Sequence, residues 1–195
     1  VVSSLITPGE AVGAAVDGDY VYVADGSAGG LRIVDVADPA LPVEVGAIDT
    51  PGYSRSVAVS ENYAYVADVS KGLRIIDISD KAQPEEVGSF TTSDNVLDVA
   101  ADGALAYVTS RSRLLVIDAS DPTDPNEVGS RSVPGTPNAV AVDGNYAYLA
   151  ESECLRVIDV SEPTRPTQVS SLDLSSGAFG VAVDGSYCYI ANWYG

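Results

Sequence analysis

Leu31-Arg-Ile-Val-Asp-Val36 returns as Leu73-Arg-Ile-Ile-Asp-Ile78, as Leu114-Leu-Val-Ile-Asp-Ala119 and as Leu155-Arg-Val-Ile-Asp-Val160. The copies begin at positions 31, 73, 114 and 155, a step of about 42 residues, and a fixed period of that size marks a repeat architecture. A second series keeps the same step and adds a fifth copy: Tyr22-Val-Ala-Asp25, Tyr65-Val-Ala-Asp68, Tyr107-Val-Thr-Ser110, Tyr148-Leu-Ala-Glu151 and Tyr189-Ile-Ala-Asn192.

Working outward from the hexads, each unit consists of short runs rich in β-branched and aromatic residues, broken by Gly, Pro and Asp, with no helical period. In the second unit the pattern predicts strands over 56–60, 63–68, 73–78 and 86–90. The turn between the first two strands is Asp17-Gly18, Asp102-Gly103, Asp143-Gly144 or Asp184-Gly185, with Glu61-Asn62 in the divergent copy. Asp-Gly suits a tight hairpin that needs positive φ. After the third strand, Asp38-Pro-Ala-Leu-Pro42 and its variants stop the inner ladder, because proline has no N–H to donate. Four antiparallel strands per unit of about 42 residues predict an all-β fold, a β-propeller whose blades bury their faces against each other. An open β array or solenoid is the rival arrangement.

The blade units expected are 11–48, 54–91, 96–133 and 138–174, with a partial unit at 179–195, all within one domain spanning 1–195. Val1–Ile6 aligns with the outer strand of a preceding blade, so the expectation is four full blades with partial blade strands at both ends. A start without Met and an end inside a repeat favour a window of a longer propeller over a ring closed by Val1–Ile6. The hexads resemble the LVIVD repeat, found in predicted propellers of bacterial and archaeal surface proteins. That resemblance covers essentially the whole chain and implies a propeller at the cell surface.

Charge narrows the function. Against 28 acidic residues stand 10 basic ones, a net charge of −18 over 195 residues, and no basic patch offers a footing for nucleic acid. Histidine is absent, which removes Ser-His-Asp and Cys-His nucleophile systems and imidazole metal sites. No apolar run approaches the roughly 18 residues of a membrane-spanning helix, so this segment is not expected to insert directly into a membrane. An acidic surface with Lys71 and Lys81 as its lysines fits an extracellular or saline setting.

The repeated Asp35, Asp77, Asp118 and Asp159 end a strand just before a turn, where an Asx-type side chain caps free N–H groups. That structural role is preferred to a ring of cation-binding carboxylates. The hexad arginines Arg32, Arg74 and Arg156 are expected to pair with an acid of the next blade. The turns between strands one and two and between three and four share one face, which collects most of the carboxylates. Calcium is possible there, and Asp17-Gly-Asp19 is the candidate cation loop, although the alternating ligand pattern of a calcium hand is missing. Cys154 and Cys188 fall in adjacent blades, either bonded or as two buried thiols.

On the opposite face the loops vary between repeats. At the start of the innermost strands, Arg55, Asp98 and Asn138 are expected at the mouth of the central channel, with Lys71, Arg111, Arg113 and Trp193 in neighbouring loops. Together they form the candidate ligand or partner surface, although Arg55 and Asp98 can also pair with each other. The function expected is that of a non-enzymatic extracellular or cell-surface propeller, a scaffold, adhesion or assembly module acting through protein partners or self-assembly. Two alternatives stand beside it: an enzyme or small-ligand (glycan) receptor at the channel mouth, and calcium-dependent surface assembly.

Overall fold

A computed structural model describes residues 3–192. Blade 1 comprises β1 (Gly13–Asp17), β2 (Tyr20–Ala24), β3 (Leu31–Asp35) and β4 (Val43–Ile48). Blade 2 comprises β5 (Ser56–Ser60), β6 (Tyr63–Ala67), β7 (Leu73–Asp77) and β8 (Glu85–Phe90). Blade 3 is β9 (Val96–Asp102), β10 (Leu105–Ser110), β11 (Arg113–Asp118) and β12 (Asn126–Ser132). Blade 4 is β13 (Pro137–Asp143), β14 (Tyr146–Glu151), β15 (Cys154–Asp159) and β16 (Thr167–Asp173), and β17 (Ala178–Asp184) pairs with β18 (Tyr187–Asn192) in the partial blade 5. Every sheet is an antiparallel meander in sequence order, and the inner strands β1, β5, β9, β13 and β17 pack side by side around a central cavity.

The hairpins follow from backbone preference. Gly18, Gly103, Gly144 and Gly185 sit at φ of 55–56°, the conformation glycine adopts without a Cβ clash. Glu61 holds the same corner of blade 2 at φ 55°, so the divergent turn keeps the geometry with a residue poorly suited to it.

Packing between blades makes the core. Tyr65, Ala67, Leu73 and Ile75 of blade 2 meet Val99, Ala106, Val108, Leu115 and Ile117 of blade 3. Each fully buried Leu or Ile there contributes about 2 kcal/mol by leaving water. Tyr22, Leu31 and Ile33 against Val57, Val66 and Ile76 repeat the arrangement one blade earlier. A bulge in each third-to-fourth strand pairing places Gly46, Gly88 and Gly129 against the Lys81, Pro122 and Pro163 carbonyls of the following blade. A Cβ at any of them would overlap that carbonyl, so glycine sets the closeness of neighbouring blades.

The partial blade expected at the second end is present as β17 and β18, whereas the first end differs from the expected strand. Residues 3–6 form no strand, yet they lie where the outer strand of a preceding blade would lie: Ser3 Oγ donates to Pro39 O at 2.5 Å. Among the described residues no strand pairs with them. At the other end β16 is exposed along its whole length, and Tyr189 is 56% exposed, whereas its counterpart Tyr65 in blade 2 is 1% exposed. No strand pairing joins β17 or β18 to blade 1 among the described residues.

Candidate functional site

The channel mouth is a cavity of about 440 Å³ lined by all of the inner strands. Antiparallel order places the connectors between blades and the loops after each second strand at this end. The residues opening the inner strands line it in sequence: Val12, Arg55, Leu97, Asn138 and Phe179. Arg55, Asp98 and Asn138 therefore meet in one cavity, as expected from their repeat positions.

Their polar atoms are largely engaged in joining blades. Asp98 Oδ2 accepts the Val140 N–H at 2.8 Å, and the carboxylate also accepts from the Ser56 hydroxyl and the Val99 N–H. Asp98 thus ties blade 3 to blades 2 and 4. Its burial pushes its pKa up, against the pull of these donors and of Arg55. Asn138 Nδ2 donates to Ala178 O at 2.9 Å, tying blade 4 to blade 5. The Arg55 backbone N–H is held by Ala67 O at 2.9 Å, while its side chain is exposed. Tyr53, also in the lining, donates its hydroxyl to Glu10 at 2.9 Å.

The remaining members of the expected surface do not join this cavity. Lys71 is exposed, its stem against Gly52. Arg111 lines a separate hollow with Ser93, Asp94, Asn95 and Thr136, which shares Leu97 with the main cavity. Arg113 turns to the outer strand, donating to Glu127 at 2.7 Å and Ser130 at 2.6 Å. Trp193 lies outside the described residues.

At the opposite face the repeated aspartates form Asx turns. Asp35, Asp77, Asp118 and Asp159 accept the N–H two residues on, from Ala37, Ser79, Ser120 and Ser161, at 2.8–2.9 Å. The Ser79 N–H and hydroxyl hold the Asp77 pKa below the ordinary aspartate value, and Ser120 and Ser161 do the same for Asp118 and Asp159. Asp17 and Asp19 are exposed, and no group of three metal-ligating side chains occurs among the described residues. Cys154 and Cys188 are free thiols, each half-buried and with its pKa raised by burial.

Sequence reading missed a second repeated device. The equivalent residue at the end of the second strand, just past it in blades 1 and 2 and its last residue in blade 4, is a buried acid in three blades: Asp25, Asp68 and Glu151. Asp25 accepts from Thr7 Oγ1 at 2.5 Å and the Gly9 N–H at 2.9 Å. Asp68 accepts from Thr50 Oγ1 at 3.0 Å, and the nearby Gly52 N–H favours its charged form, while its second oxygen, Oδ2, is buried without a hydrogen-bond partner. Thr7-Pro-Gly9 and Thr50-Pro-Gly52 are the connectors entering blades 1 and 2, so the acid clamps the incoming chain. The hexad arginine completes the clamp: Arg32 Nε is 3.8 Å from Asp25, Arg74 Nε 3.7 Å from Asp68, and Arg156 grips Glu151 at 2.5 and 3.0 Å. Arg32 and Arg74 also reach Glu44 and Glu86 on their own outer strands. These contacts correct the expectation of pairing with the next blade. Register explains it: Arg74 lies opposite Val66 and Ser89 on one face of the sheet, beside Asp68 two residues beyond Val66.

The fold has close counterparts among solved structures. A functionally unknown protein of Desulfotomaculum acetoxidans superposes with a TM-score of 0.82 at 14% identity, over 96% of this chain and 64% of that one. The periplasmic gluconolactonase of Pseudomonas aeruginosa gives 0.72 at 17% identity, over 92% and 56%. A chain of the nidogen/laminin complex gives 0.71 at 16% identity, over 94% and 72%. The chain therefore spans about 64% and 56% of the length of the first two, and at such identities the likeness concerns the fold. No protein of curated function matches the sequence. The sequence profile of the LVIVD repeat matches residues 8–50, 51–92, 95–132, 134–173 and 177–195. With nearly every residue inside a matched repeat, and each full repeat folded as one four-stranded blade, this chain belongs to the LVIVD-repeat family.

Proposed function

We propose that this propeller acts as a non-enzymatic module at the cell surface or outside the cell, holding protein partners as a scaffold, adhesion or assembly unit. The observation that carries this reading is the engagement of the channel-mouth groups. Acid–base chemistry needs a carboxylate free to meet a substrate proton, whereas Asp98 accepts from three protein donors and Asn138 is tied to Ala178. The hexad aspartates are held in Asx turns in the same way. What the molecule offers to a partner is area: outer strands with exposed apolar residues such as Val43, Val169 and Leu172, on a strongly anionic body that resists non-specific association.

The test is capture from a native surface extract on immobilised chain, repeated with Val169→Ser/Leu172→Ser. Saturable capture of one partner, competed by free chain and weakened in the double variant, supports the reading. Turnover of a lactone, ester or glycoside that is lost in Asp98→Asn would sink it, as would recovery of the native protein in a cytoplasmic fraction.

A further inference from the structure

Among the positions that open the inner strands, Arg55 is the exception. Val12, Leu97, Asn138 and Phe179 occupy the equivalent places in the other blades, so the fold does not demand a cation there. Nor does the surrounding structure consume this one. The Arg55 side chain is exposed and forms no ion pair among the described residues, whereas Arg32, Arg74, Arg113 and Arg156 are all held by carboxylates of their own blades. In a chain of net charge −18, this guanidinium stands at the central cavity, attracted by the buried Asp98 yet within ion-pair distance of no carboxylate among the described residues.

We propose that the channel mouth binds a small ligand bearing a carboxylate, with Arg55 as its anchor. A guanidinium presents a planar fork of donors that matches a carboxylate through two parallel bonds. Asp98, the one acid lining the cavity, does not take that fork, because its oxygens are turned to the Val140 and Val99 N–H groups and the Ser56 hydroxyl. Beside Arg55, Asn138 gives one amide hydrogen to Ala178 O and keeps its carbonyl oxygen and second hydrogen for a ligand. Val12, Leu97 and Phe179 supply apolar wall for the body of the acid. The volume of about 440 Å³ falls in the ordinary range for small-molecule sites. This site is independent of the partner contacts proposed above, which use the outer strands rather than the channel.

The experiment is calorimetric titration of the chain with two acids, benzoate and glucuronate, and with their uncharged counterparts benzamide and glucose, followed in parallel by amide shifts of Leu97 and Asn138. At least one acid is expected to bind about tenfold more tightly than its neutral counterpart, and Arg55→Gln to remove that preference. Lys71→Gln, which changes an exposed cation outside the cavity, is expected to leave binding unchanged; the amide spectrum verifies that both variants are folded. The proposal is overturned by acid binding that survives Arg55→Gln, by equal binding of acids and neutral counterparts, or by no acid binding at about 10 mM. None of these results bears on partner capture, so the two readings fail separately.

Discussion

Blades 2 and 3 are neighbours with the same strand order, yet they secure their incoming connectors by different chemistry. In blade 2 the buried Asp68 receives Thr50 from the connector, beside the Gly52 N–H, and faces Arg74 across the sheet. In blade 3 the equivalent places hold Ser110 and Leu115, both buried, and the connector reads Thr92-Ser-Asp94 instead of Thr-Pro-Gly. The acid, its arginine and the Pro-Gly corner are lost together. The backbone bridge to the preceding blade is common to both, Ser54 N–H to Gly26 O at 3.3 Å for blade 2 and Val96 N–H to Val69 O at 3.0 Å for blade 3, so what stands in place of the charge pair is Leu115, which joins the apolar core between blades 2 and 3. A buried charge pair is thus kept whole or replaced whole, as expected when leaving one charge unpaired costs more than the pair itself gains.

The largest effect should come from breaking the blade 2 clamp on one side. Asp68→Ala leaves Arg74, whose side chain is 12% exposed, without its buried partner and strands the Thr50 donor. The expected loss is about 3 kcal/mol of unfolding free energy in a urea titration. A loss below about 0.5 kcal/mol, the range of ordinary surface substitutions, would mean that the clamp is ornamental and that blade 2 is held by its core as blade 3 is.

Next comes the conversion of blade 2 into blade 3. Asp68→Ser with Arg74→Leu removes both charges and offers an apolar side chain to the same face. The double variant should be more stable than Asp68→Ser alone, by about 1 kcal/mol in a double-mutant cycle. Simple additivity of the two losses would show that the pair is not the unit the comparison implies.

How legible all this was in the sequence differs between the two kinds of device. The hexads and the Asp-Gly corners speak directly, because strand alternation and positive φ are local requirements written in adjacent residues. Arg55, Asp98 and Asn138 could be brought to one cavity by repeat alignment alone, since equivalent positions in a radial fold share a radius. The clamp was hidden because its members are not adjacent: Thr50 and Gly52 precede Asp68 across two strands, and Arg74 follows on a third. The alternation that turns Arg74 away from Leu73 was plain, but only the register showed that Asp68 shares its face. Close approach of backbone was equally silent: nothing in the text around Gly46, Gly88 and Gly129 announces a carbonyl of the next blade.

The comparison also has a pH signature. Burial raises the Asp68 pKa above the ordinary value of 3.8 despite Thr50, Arg74 and Gly52. For a raised folded-state pKa, the native state holds the proton more tightly than the unfolded chain. Its contribution is fully present below 3.8 and is lost as pH rises through the folded value. Ser110 has no such proton. The stability difference between wild type and Asp68→Asn should therefore shift against wild type as pH is raised through this window. A difference independent of pH would mean that Asp68 titrates in the fold as it does in the open chain.

The smallest effect belongs to the opposite face, where blades 2 and 3 agree again. Asp77 and Asp118 each accept a serine N–H two residues on and have lowered pKa values. The sign reverses relative to Asp68: a lowered folded pKa adds stability above 3.8 that disappears as pH falls through the folded value. Asp118→Ala should cost about 0.5 kcal/mol at neutral pH, because one turn donor returns to solvent and is solvated there. Asp118→Asn keeps the accepting oxygen, so it should recover most of that loss while removing the acid-side dependence contributed by this group. Chemical denaturation of both variants at pH 7 and near pH 3 separates the two roles of the carboxyl. Equal losses for Ala and Asn would assign the effect to charge, and no loss for either would show that this turn is set by its backbone alone.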